Sequence, residues 1–154
     1  MKIRLSLLLM GLCVCSCTCP GPGPGPAPCC GTVKTKDSFA IVQGNAAAPL
    51  WLEAGDFPGV LRAANDLSQD VARVTGRTPP VSRGENAPGA NVILIGTIGK
   101  NPIIDKMIRD KKLDAAGVAG QWESFVIQVV SKPLPGVARA LVIAGSDKRG
   151  TIYG

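Results

Sequence analysis

Two uninterrupted apolar runs set the strongest limit on the fold of this chain: Val92-Ile93-Leu94-Ile95-Gly96 and Ala140-Leu141-Val142-Ile143-Ala144. Successive side chains of a strand point to opposite faces, so a strand with no polar alternation needs cover on both sides. A third run, residues 125–130 (FVIQVV), is joined to the second by a Leu134-Pro135-Gly136 turn. The expected centre is therefore a sheet between helices.

The covering elements are also legible. Val60, Ala64, Leu67, Val71 and Val74 recur at spacings of four and three, one face of an α-helix. Asp56 is placed as its N-cap, Pro58 suits its first turn, and Gly76 its C-terminal end. A second helix is expected from Asn101-Pro102, with Ile103, Ile104, Met107 and Ile108 on its apolar side. Lys111 and Lys112 suit its C-terminal end. Residues 39–43 and 49–53 read as strands separated by a Gly44-Asn45 turn. Pro79-Pro80-Val81-Ser82 reads as an edge strand, because proline cannot serve a central ladder. The order β-β-α-β-β-α-β-β predicts an α/β class: a mixed β-sheet flanked by two helices.

The first 36 residues differ in kind. Met1–Arg4 is basic, and an 11-residue apolar run follows (LSLLLMGLCVC), too short for a membrane span of about 20 residues. It fits the core of a secretory signal peptide over residues 1–19, and implies a secreted or extracellular protein. Val14-Cys15-Ser16-Cys17 is a loose lipoprotein box, which would anchor the chain at Cys17. Residues 20–36 contain PGPGPGPAP, a linker that supports neither helix nor ladder. The domain proper is expected over residues 37–154.

Composition excludes several chemistries. All six cysteines (Cys13, Cys15, Cys17, Cys19, Cys29, Cys30) precede residue 31, and the chain has no histidine. Residues 37–154 therefore hold no disulfide, thiolate metal site, Ser-His-Asp triad or imidazole ligand, and no metal or cofactor is expected. Four of the 17 basic residues fall in the first 36, with no acid among them; 13 basic and 11 acidic residues remain, a net of +2. Such a body is not a nucleic-acid partner.

Two glycine-rich loops invite a phosphate-binding reading. Gly96-Thr97-Ile98-Gly99-Lys100-Asn101 has two residues between its glycines where a P-loop has four, and lacks the hydroxyl after lysine. It reads as a strand–helix turn. Gly145 and Gly150 have the right spacing, but no lysine follows the second. Asp147 or Ser146 there resembles a helix cap, with Thr151-Ile152-Tyr153-Gly154 opening a helix. Asp147, Lys148 and Arg149 are the candidate substrate-binding residues, Arg149 being able to grip a carboxylate; the plainer reading has Asp147 capping and the two cations solvated or paired. Glu53, Asp56 and Glu123 lie near strand ends, but nothing in their spacing pairs them for glycoside hydrolysis. Trp51 and Trp122 could stack on sugar rings; as lone tryptophans beside strands they read as core or interface anchors, Trp122 as core.

Gln121-Trp122-Glu123-Ser124-Phe125, Gln128-Val129-Val130, Leu134-Pro135-Gly136-Val137 and residues 140–154, ending in GSDKRGTIYG, resemble the N-terminal domain of glycoside hydrolase family 115, the xylan α-1,2-glucuronidases. The similarity extends back through residues 39–42 and the 56–76 helix. The resemblance implies an α/β accessory domain that precedes a (β/α)₈ barrel holding the acidic catalytic residues. The implied reaction removes glucuronic or 4-O-methylglucuronic acid from glucuronoxylan by hydrolysis. The chain ends where that family continues, so the barrel is the expected missing partner and no catalytic residue carries over. The fragment is expected to be inactive and poorly stable alone. The alternative is a stand-alone, non-catalytic module binding acidic sugars through Lys148 and Arg149.

Overall fold

The computed structural model describes residues 38–84 and 86–154. The signal-peptide, linker and Cys17 expectations fall outside them. The elements are β1 (Val42–Gln43), β2 (Ala46–Ala47), β3 (Leu50–Leu52), α1 (Pro58–Thr75), β4 (Val81–Arg83), β5 (Asn91–Thr97), α2 (Pro102–Arg109), β6 (Phe125–Ser131), β7 (Arg139–Gly145) and α3 (Lys148–Tyr153). Five strands form one sheet in the order β4-β3-β5-β7-β6. The first four run parallel, and β6 is antiparallel to β7, with Ile127 opposite Ile143. The class is the expected mixed α/β, with a short third helix added.

The unbroken apolar character of β5 has its reason in the layering. Val92 and Leu94 pack with Ile104 and Met107 of α2 on one face. Ile93 and Ile95 pack with Val60 and Ala64 of α1 on the other. Trp51 is buried on the α2 face, where its indole N–H donates to the Gly84 carbonyl at 2.6 Å. Val81–Arg83 is the edge strand that its prolines predicted. No helix among the described residues is long and apolar enough to cross a membrane.

Three local expectations are corrected. Val42–Gln43 is only the end of the expected 39–43 strand, and it pairs with Ala46–Ala47 in a separate hairpin across the Gly44 turn rather than joining the sheet. The N-cap of α1 is Phe57, not Asp56, because the Asp56 carboxylate reaches across to Thr97 instead. Val74 at the end of the α1 stripe is 85% exposed. An 18-residue helix is about 27 Å long, whereas the three-residue strands β3 and β4 span about 10 Å, so the last turn overruns the sheet. Gly76 ends α1 as expected, with φ 69° and its N–H bonded to the Ala72 carbonyl. Asn101 caps α2, its Oδ1 accepting from Ile103 and Ile104 N–H at 3.0 and 3.2 Å.

Cover is incomplete at the β6 edge. On the α1 side, Phe125 and Ile127 of β6 are exposed, as is Tyr153 of α3. Beside them a groove of about 320 Å³ runs between α1 and α3, lined by Leu67, Ile143 and Ile152 among others. The six residues of α3 are too few to roof it.

Candidate functional site

Two of the sequence stretches that carry the family resemblance, 121–125 and 140–154, fold onto each other. Residues 122–124, leading into β6, lie against residues 146–150, leaving β7. Ser146 N–H donates to the Ser124 carbonyl at 2.8 Å, and Ser124 N–H donates to Ser146 Oγ at 3.1 Å. The Ser146 hydroxyl returns a bond to the Ser124 carbonyl at 3.0 Å. The backbones are so close that a Cβ on Gly150 would lie 2.2 Å from the Ser124 oxygen. A Cβ on Gly145 would lie 2.1 Å from Thr151 N. Both glycines are therefore required by close approach.

Asp147 organises the corner. Its Oδ1 accepts from Gly150 N–H at 2.7 Å, which caps α3, and its Oδ2 accepts from Glu123 N–H at 2.9 Å. These backbone donors, Gly150 foremost, hold its carboxyl below the usual aspartate range. Glu123 adopts the left-handed region, φ 52°, uncommon for a residue with a side chain. Its carboxylate accepts from Arg149 Nη1 in an ion pair. That bond, and a smaller contribution from the Trp122 side chain, lower the Glu123 pKa, while the same partner raises that of Arg149.

The expected trio thus divides by role. Asp147 has both oxygens committed to backbone N–H groups. Arg149 is exposed, and Glu123 holds its guanidinium. Lys148 is exposed at the start of α3. The core expectation for Trp122 is overturned: it is 79% exposed, because it precedes β6 in a loop beyond the packed layers. The Glu123–Arg149 pair was missed in the sequence, since 26 residues separate the partners and no local pattern links them.

The other candidates have structural partners. Lys100 of the Gly-Lys turn lies 4.5 Å from the centroid of the Phe57 ring, a cation–π contact. The turn closes on itself, with Lys100 and Asn101 N–H both donating to the Thr97 carbonyl. Glu53 accepts from Ala54 N–H, and Asp56 from Thr97. Of the three carboxylates near strand ends, each is engaged within the domain.

No family model matches the chain, and no curated protein does. Among solved structures, the chain is similar to a family GH115 4-O-methyl-α-glucuronidase with specificity for decorated arabinogalactans. The TM-score is 0.52 at 25% sequence identity, over 71% of this chain and 13% of that one. The chain thus spans about an eighth of that enzyme's length. The likeness supports the α/β class and a resemblance to that family.

Proposed function

We propose that this chain is the N-terminal accessory domain of a secreted glycoside hydrolase that removes (4-O-methyl)glucuronic acid from a polysaccharide such as glucuronoxylan. The observation that carries the reading is the structural likeness to a GH115 glucuronidase at 25% identity. The mutual docking of residues 122–124 and 146–150, the most specific part of the sequence resemblance, agrees with it. The role assigned to the domain is architectural. Its carboxylates near strand ends are tied to Arg149, Thr97 and backbone N–H groups, so hydrolysis is left to acidic residues of a downstream barrel. The uncovered apolar side of β6 and the α1–α3 groove are the surface we assign to the rest of the enzyme, since exposed apolar patches of this kind mark docking faces.

The test has two arms. Reading the transcript past codon 154 is expected to reveal a long continuation that encodes a barrel, and a stop that recurs in independent transcripts would overturn the accessory-domain role. Purified chain is expected to release no methylglucuronic acid from glucuronoxylan or decorated arabinogalactan, whereas the continued polypeptide does. The stand-alone reading, binding of acidic sugars by Lys148 and Arg149, is less well supported, because Glu123 already occupies the Arg149 guanidinium.

A further inference from the structure

We propose that Trp122, with the Glu123–Arg149 pair beside it, forms a surface subsite for a neutral pyranose unit of a polysaccharide chain; this rests on the polysaccharide-processing reading above. The two tryptophans of the chain are treated oppositely by the fold. Trp51 is 1% exposed and Trp122 is 79% exposed. An indole ring left in water is an unused apolar face, and the C–H face of a pyranose is its natural complement.

The ring stands on a rigid base. The Trp122 carbonyl accepts from the Ser124 hydroxyl at 3.1 Å, and the next N–H, that of Glu123, is held by Asp147. The left-handed Glu123 backbone is fixed by these bonds rather than by a glycine.

The charge of the corner selects the ligand. Glu123 and Asp147 balance Lys148 and Arg149. The Arg149 side chain is 64% exposed and that of its partner Glu123 25% exposed, so donors and acceptors sit side by side at the surface. Such a pair matches vicinal hydroxyls, which both donate and accept. A uronate would have to compete with Glu123 for Arg149. The subsite therefore fits the neutral backbone of the polymer and not its acidic branch.

The experiment is a titration of the full chain with neutral xylo-oligosaccharides, neutral β-galacto-oligosaccharides and glucuronic acid, read by tryptophan fluorescence. Because Trp51 is buried, a ligand-dependent change reports Trp122. A saturable change is expected with a neutral oligosaccharide, independent of salt, and weak or absent with glucuronic acid. Trp122→Ala is expected to weaken binding about tenfold or more, and Trp122→Phe to restore part of it. Glu123→Gln leaves Arg149 uncompensated and is expected to shift preference toward glucuronic acid. No response to either neutral sugar, an unchanged affinity in Trp122→Ala, or tighter binding of glucuronic acid by the unaltered chain would each overturn the subsite. Failure of the enzyme reading shows elsewhere, as absence of glucuronate release by the continued polypeptide, and leaves this titration unaffected.

Discussion

Asp56 and Thr97 lie 41 residues apart and are joined twice: Asp56 Oδ2 accepts the Thr97 N–H at 2.8 Å, and Oδ1 accepts its hydroxyl at 2.9 Å. Thr97 Oγ1 also lies 2.8 Å from Thr151 Oγ1. One buried hydroxyl therefore connects the loop after β3, the end of β5 and the start of α3. The carboxyl ends of parallel strands are where open α/β sheets usually receive ligands. Here an internal carboxylate occupies the end of β5, which accords with an architectural role for the domain.

Thr97→Val removes that connecting hydroxyl at constant shape. It should cost about 1–3 kcal/mol, because the part-buried Asp56 carboxylate loses its hydroxyl donor, whereas Thr151 Oγ1 keeps its bond to the Asp147 carbonyl. Urea denaturation of the single variants and of Thr97→Val with Asp56→Ala checks this. The two changes together should cost less than the sum of the singles, since they break one network.

Gly145→Ala and Gly150→Ala should be among the most damaging substitutions in the domain. Each added methyl meets backbone atoms near 2 Å, at Thr151 N and Ser124 O respectively, and backbone cannot move aside by changing rotamer. A loss above about 3 kcal/mol is expected for each. Gly117→Ala, with open space around it, is the control and should be nearly neutral. Soluble yield and thermal melting distinguish them.

Acid should loosen the β6–α3 corner before the rest of the domain. Glu123 and Asp147 both have lowered pKa values in the fold. A carboxylate with a depressed folded pKa contributes stability that is present above its unfolded value, and this is lost as pH falls through the folded one. The corner is thus expected to be intact above roughly pH 4.5 and to weaken progressively below it. Hydrogen exchange at Gly150 and Glu123 N–H, compared with β5 amides across that range, reads the effect. Equal acceleration at both places would contradict it. Arg149 stays charged throughout and adds no pH dependence of its own.

Asn101→Ala should destabilise α2 by about 1–2 kcal/mol through loss of the cap to Ile103 and Ile104 N–H. Asn101 is fully buried, and its Nδ2 has no hydrogen-bond partner. Asn101→Ser keeps a capping oxygen without that orphan donor, and should retain more stability than alanine. Chemical denaturation of the two variants orders them.

Several features were legible because they depend on neighbours within one helical turn or one strand. The 58–75 helix and its Gly76 end, the helix start at Asn101-Pro102, the Asp147 cap and the continuous apolar strands are of this kind. Caps and periodicity are local chemistry, and they were read correctly where no distant group competed; Asp56, whose carboxylate is taken by Thr97, is the exception. The candidate site was half legible for the same reason. Asp147 could be read as a cap from its spacing to Gly150, but its second bond, to Glu123 N–H, could not.

What the sequence by itself determined was the α/β class, the helices at 58–75 and from Pro102, and the need for cover on both sides of β5 and β7. Only the tertiary structure decided the strand order, the diversion of β1 into its own hairpin, and the partners of Asp56 and Arg149. It also decided which tryptophan is buried. The physical reason is that a side chain's burial and its partner are set by which layer lies over it. That layer is contributed here by segments 26 to 54 residues away, beyond the reach of any local pattern.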